Sequence, residues 1–220
     1  MRVPGKIFSE SPAAARVAPF LIFVALTACQ GKFGAASAYW FYFAKTIAGA
    51  WLIWEMRPFV LEMRWAISWE AVTMGVLIFA IWVWLDPFYP KIFERGATGN
   101  PGEVVGKNLA WFFIVAHILG MTFVVPPLEE VFYRSFLYRY IAKSNFLSVS
   151  LHQFLPLPFF LTAIVFGLSH NEWLAGILCG AAFQWLVLRK NRLGDAMTAH
   201  AITNFLLGMW IVWRGEWHFW

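Results

Sequence analysis

Two adjacent carboxylates, Glu129 and Glu130, interrupt a run otherwise built for lipid, and Arg134 follows one helical turn later. An ionised carboxylate at membrane depth costs at least about 2.5 kcal/mol even on the permissive insertion scale. Two together need a partner, a water-filled cavity or chemical work. On a helix Glu130 and Arg134 face one another at four residues' separation, so an ion pair neutralises Glu130. Glu129 lies about 100° around from Glu130 and about 140° from Arg134, which leaves it without that partner. A carboxylate in an apolar cavity beside a second carboxylate holds a proton more readily than in water, which suits a general base working near neutral pH.

Two further polar clusters follow in apolar surroundings. Phe166-Gly-Leu-Ser-His170 ends a hydrophobic segment on an imidazole, with Phe166 one turn earlier on the same face. His200 and Asn204 are four apart on one face of the last apolar segment, where an imidazole and an amide directed into a bundle need partners. The set suffices for water-mediated amide hydrolysis. Glu129 and His170 would hold and deprotonate a water, His200 with Asn204 would stabilise the oxyanion, and Arg134 would fix Glu130. Ser169 and His170 are neighbours, so on a helix their side chains diverge, which argues against a serine nucleophile.

The elements that must carry these groups are transmembrane helices. The chain has 220 residues, 60% of them hydrophobic and 13% charged, with mean hydropathy +0.62. A soluble domain would carry roughly a quarter charged residues. The net charge of +5 comes from basic residues in short loops, as membrane topology expects, so nucleic acid is not an expected partner. The 14 Trp and 23 Phe suit interfacial belts and lipid-facing bulk. The expected fold is an all-α polytopic transmembrane bundle of about seven spans (six to eight). They run roughly over 16–36, 38–54, 71–85, 107–137, 156–169, 173–188 and 196–213. No cleavable signal is expected, because Ala13-Ala14-Ala15 precedes the first apolar run; that run should remain as an anchor.

The segment from Glu55 to Glu70, with alternating charges, Trp65 and Trp69, reads as interfacial. The Pro- and Gly-rich connection from Asp86 to Gly106 divides a three-span unit (1–106) from a four-span core (107–220) within a single membrane domain. With the N-terminus cytoplasmic, the inner side holds ten basic residues: Arg2, Lys6, Arg16, Arg57, Arg64, Arg139, Lys143, Arg189, Lys190 and Arg192. The outer side holds five, Lys32, Lys91, Arg95, Lys107 and Arg214, which favours that orientation. Simple spanning sets His170 near the outer end of its helix and Glu129 and His200 nearer the inner half. The turn Asn171-Glu172 is therefore expected to dip into the bundle and bring His170 close to Glu129. Cys29 and Cys179 are expected as buried free thiols, Lys45 as a snorkelling side chain and His117 as a packed one.

Glu129-Glu130-Val-Phe-Tyr-Arg134, Phe166-Gly-Leu-Ser-His170 and His200-Ala-Ile-Thr-Asn204 resemble, in order and spacing, the three motifs of the CPBP intramembrane proteases, the group that includes the CAAX prenyl endopeptidases. The resemblance covers about Leu109 to Trp213, including Ala175 to Ala182, where Gly176 and Gly180 suit close helix packing. It implies a glutamate-type membrane endopeptidase without a cofactor. In it Glu129 activates water with His170, His200 and Asn204 form the oxyanion site, and Glu130, Arg134 and Phe166 support them. Ser135 departs from the pattern, since members often carry Gly there. The N-terminal half is similar to a bacterial subgroup that accompanies the exosortase and PEP-CTERM sorting system. That likeness implies a bacterial inner-membrane setting and a membrane or exported protein substrate. Two alternatives stand beside this reading. One is a zinc metalloprotease using Glu129, His170 and His200 as ligands; the other is a non-proteolytic immunity or scaffold protein on the same fold.

Overall fold

The computed structural model describes residues 3–92 and 99–220, so Arg2, Arg95 and Gly96 lie outside the described residues. Eleven α-helices are present among them, with no strand: α1 Val3–Glu10, α2 Pro12–Ala28, α3 Ser37–Met56, α4 Trp69–Leu85, α5 Pro101–Val104, α6 Lys107–Phe123, α7 Val125–Glu130, α8 Tyr138–Ala142, α9 Pro156–Leu168, α10 Trp173–Lys190 and α11 Gly194–Arg214. A π-helical segment, Val131–Leu137, joins α7 to α8. Three runs are long and apolar enough to cross a membrane, Trp69–Phe88, Lys107–Ala142 and Gly194–Arg214, while α2 and α9 are apolar but shorter. Leu21, Trp51, Leu77, Phe123 and Phe160 are exposed on these helices, an apolar exterior that water would not tolerate over so large a surface.

Local sequence sets the boundaries. Ser11 caps α2 by accepting a hydrogen bond from the Ala14 N–H at 3.1 Å, with Pro12 in the first turn where its missing N–H costs nothing. The first apolar stretch does not stay helical to Ala36 as expected. It stops at Ala28, and Gly31 and Gly34 then turn the chain at φ 74° and 92°, a conformation other residues reach only under strain. Pro126 and Pro127 open α7, again in a first turn that spares the missing donors.

The described residues form two compact units, each drawing on both sides of Gly106. The first comprises 1–60, 95–128 and 204–220. In it Lys45 does not snorkel. Its ammonium is buried, donates to Thr27 Oγ1 at 2.9 Å and lies over the rings of Phe23 and Tyr42, so Thr27 and the aromatic faces replace the interface as its solvent. His117 packs as expected, stacked on Tyr42 with centroids 3.6 Å apart. Both cysteines are free thiols; Cys179 is buried, whereas Cys29, at the end of α2, is only partly so.

The second unit comprises 61–94 and 129–203. Its α9 and α10 pack closely enough that a Cβ on Gly176 would lie 2.8 Å from Gly167 Cα, and one on Gly180 3.1 Å from Ala163 Cα. This unit carries all the predicted site residues except Asn204.

Candidate active site

The site grows from the α7 and π-helical turns. Glu130 and Arg134 are wholly excluded from solvent and form the expected ion pair, Arg134 Nε to Glu130 Oε2, at 3.1 Å. The guanidinium also donates to the Gly180 carbonyl at 3.3 Å and lies 4.4 Å from the centroid of Phe166. The small residue at 180 thus serves twice, letting α9 approach α10 and leaving a carbonyl open to Arg134.

Glu130 has a second partner. His200 Nδ1 lies 3.0 Å from Glu130 Oε1, and the ring is buried. Since a carboxylate only accepts, Nδ1 is the protonated nitrogen of this imidazole, and Nε2 is turned the other way. It faces Glu129, with Nε2 3.9 Å from Oε2. That oxygen is buried and has no hydrogen-bond partner among the described residues. Two atoms 3.9 Å apart do not bond directly, but a water placed off the line between them reaches both at about 2.8 Å. The two adjacent carboxylates therefore differ as their helical positions require. Glu130 is committed to Arg134 and His200, and Glu129 is left open.

His170 sits just past the end of α9. Its Nδ1–H donates to the Phe166 carbonyl at 2.7 Å, which fixes the ring and leaves Nε2 as the outward nitrogen. Trp82 meets its ring edge-on at 5.6 Å. Phe166 is the shared neighbour: its ring centroid lies 4.7 Å from that of His170 and 6.1 Å from that of His200. The turn packs against the segment that follows α4: the Ile92 N–H donates to the Asn171 carbonyl and Glu172 is buried near Asp86 and Lys91, while Ser169 is exposed and His170 half-buried. Burial, reinforced by Asp86, raises the Glu172 carboxyl above its ordinary range. Ser169 does not diverge from His170: its Oγ lies 3.2 Å from Nδ1, because both residues lie beyond the helix, where helical angles no longer apply. The hydroxyl donates to the Phe166 carbonyl at 2.7 Å and the imidazole proton goes to the same oxygen, so this contact offers Ser169 no base.

Tyr133 was not singled out by the sequence. Its hydroxyl donates to Ser169 Oγ at 3.2 Å and its ring meets Phe166 at 5.0 Å, tying the glutamate-bearing helix to the turn that holds His170. The signal was available, because Tyr133 is four residues from Glu129 and lies on its face. Asn204 lies in the first unit, one turn beyond His200 along α11, and its amide donates to the Met121 carbonyl at 2.7 Å. Among the described residues, no three or more His, Cys, Asp or Glu are grouped so as to hold a metal ion.

A stretch covering all three motifs, residues 109–206, matches the family described as type II CAAX prenyl endopeptidase Rce1-like. The match spans a little under half of the chain and likens this stretch to the CAAX-type protease family. No curated protein and no solved structure matches the chain. That family is one of proteases, and two of the three motifs lie on runs long and apolar enough to cross a membrane, Lys107–Ala142 and Gly194–Arg214, while the third ends the shorter α9.

Proposed function

We propose that the protein is an intramembrane endopeptidase of the glutamate type that hydrolyses a peptide bond in a membrane-associated protein, with Glu129 as the base that activates water. One observation carries this reading: a buried, unpartnered Glu129 oxygen facing an imidazole at 3.9 Å, beside a second carboxylate whose charge is already taken by Arg134. Glu129 takes a proton from water as the oxygen attacks the scissile carbonyl, then passes it to the departing amine as the tetrahedral intermediate collapses. His170, anchored through Nδ1, offers Nε2 as the second contact of that water. His200 faces the developing oxyanion through Nε2.

The Glu130 contact adds a condition to the role of His200. With Nδ1–H committed to Glu130, an Nε2–H donor for the oxyanion requires a proton on both nitrogens. Arg134 in turn holds Glu130 in place beside His200, so the ion pair supports that contact at one remove. The Asn204 amide donates one N–H to the Met121 carbonyl and keeps a second N–H.

The charge bias of ten inner against five outer basic residues supports an inner-membrane protein with its N-terminus in the cytoplasm. The test is comparative proteomics of cells carrying the wild type and Glu129→Gln, a substitution that keeps shape and removes the base. A membrane protein whose new terminus disappears with Glu129→Gln is expected. Unchanged processing in cells where the variant accumulates normally would refute the assignment.

A further inference from the structure

Between Val60 and α4 the chain runs without helix over residues 61–68, and its contacts within the second unit fall on both sides of the Glu130 to His200 contact. Near one end, Glu62 Oε1 accepts hydrogen bonds from Ser135 Oγ at 2.5 Å and from an Arg139 Nη at 2.9 Å. Ser135 is the residue after Arg134 and is wholly buried; Arg139 is nearly so and also donates to the Ser135 carbonyl. The π-helical segment is thus fastened at its centre and just past its end. Near the other end, Ala66 O accepts a hydrogen bond from Thr198 Oγ1 at 2.9 Å, two residues before His200. Between these points the strap lies on the start of α11 so closely that a Cβ on Gly194 would collide with the Arg64 carbonyl and lie 2.6 Å from Ala66 N. Met63, between the two fastenings, is buried.

We propose that residues 61–68 act as a clamp that holds the π-helical turn and α11 in the register that closes the Glu130 to His200 hydrogen bond, with Glu62 as its positioning residue. Four residues separate Glu62 from Ala66, so even fully extended chain between them spans at most about 14 Å. A tether of that length, fixed at both ends by hydrogen bonds to buried groups, limits how far Ser135 and Thr198 can move apart. A π-helical turn is a rare departure from the α-helical ladder, and this one is supported from outside the helix. Here the support comes from a charged pair, Glu62 with Arg139, in a partly dry setting where charge-assisted bonds are strong. Ser135 supplies the hydroxyl that a glycine there would lack. The inference rests on the reading of Glu130 and His200 as parts of the working site.

The test uses full-length protein in lipid nanodiscs with 15N-labelled histidine, following the Nδ1–H proton of His200, assigned by its loss in His200→Gln. The wild type should show a slowly exchanging proton. Glu62→Ala should lose that signal while the remaining histidine signals persist, and Glu62→Gln, which still accepts both bonds, should keep it. Thr198→Val, which removes only the far fastening, should shift the signal in the direction seen with Glu62→Ala. If Glu62→Ala does not fold, Glu62→Gln combined with Thr198→Val, in which only the far fastening is gone, takes its place and should shift the signal as Thr198→Val does. An unmoved His200 signal in a folded Glu62→Ala protein, or in the substitute pair, overturns the clamp. The readout needs no substrate, so the clamp can fail while Glu129→Gln still abolishes processing, and the reverse.

Discussion

Removing Arg134 or Glu130 singly, and then together, tests the centre of the site without knowledge of the substrate. Both side chains have no solvent exposure, and their charged atoms meet at 3.1 Å. Taking one partner from a buried pair leaves the other charge uncompensated, at a cost of about 3–5 kcal/mol; removing both with well-packed apolar or neutral groups costs little. Arg134→Met leaves Glu130 with His200 as a remaining partner, which sets its cost near the lower bound. Glu130→Gln strands the guanidinium against the Gly180 carbonyl and the face of Phe166 and also removes the charge that holds His200, which sets its cost near the upper bound. For a chain of this size each kcal/mol moves the melting temperature by about 2–4 °C, so the single variants should melt roughly 6–20 °C below the wild type. The double variant Glu130→Gln/Arg134→Met should recover most of that loss.

The assay is thermal unfolding in nanodiscs followed by tryptophan emission, with the four proteins forming a double-mutant cycle. A coupling of at least about 2 kcal/mol is expected, since distant or uncoupled positions add to within about 0.5 kcal/mol. Additive single effects would refute the reasoning, because they would mean that neither charge depends on the other for its place in the interior. A double variant as unstable as Glu130→Gln would refute it in a different way, by showing that the His200 contact, not the ion pair, carries the energy.

Two further outcomes follow from the second unit. Gly167→Ala puts a Cβ 2.6 Å from both the Ile177 N and the Trp173 carbonyl oxygen, contacts with backbone that cannot swing aside; the expected loss is about 1–3 kcal/mol, read from the same melting experiment, and a neutral substitution would mean that α9 and α10 can separate freely. Glu172 is a buried acid whose proton affinity in the fold is above its ordinary value of 4.5, chiefly through burial and then through Asp86, despite the opposing pull of His170 and Lys91. For an acid held above its unfolded value, ionisation costs stability as the pH rises past 4.5, and the loss persists at higher pH. Glu172→Gln should therefore gain stability relative to the wild type at pH 8 and not at pH 4, and a difference independent of pH would contradict the burial argument.

What the sequence made legible was local. Glu130 and Arg134 are four apart on one helix, so their pairing follows from spacing, and the isolation of Glu129 follows with it. The apolar runs locate the helices, and the small residues of α10 foretell its close approach to α9. Departures came where a local rule met a long-range contact or the end of an element. Lys45 stays buried because Thr27 and two aromatic faces receive it; Thr27 and Phe23 come from α2, and Tyr42 lies one turn earlier on Lys45's own helix. Ser169 touches His170 because α9 has already ended at Leu168.

The less legible part was which imidazole faces which carboxylate. Spacing fixes the angle between neighbours on one helix, at about 100° per residue, but leaves open the rotation of one helix against the next. Here two features that the motif residues do not announce set that rotation. The π-helical turn at Val131–Leu137 adds a hydrogen-bond register that Val-Phe-Tyr-Arg-Ser-Phe-Leu does not announce, and Glu62 reaches Ser135 and Arg139 across more than seventy residues of chain. A motif reading assigns His170 to the water and His200 to the oxyanion from order alone. The observed Glu130 to His200 contact makes His200 the imidazole shown to face Glu129, so the proton on its Nε2 decides between the two roles. With that proton the ring is a donor toward an oxyanion; without it the ring is a second acceptor beside Glu129, able to share the water itself. Glu130 and Arg134 bear on this choice through the Nδ1 contact they hold, so the ion pair one step removed from the scissile bond in the proposed scheme positions the ring that faces Glu129.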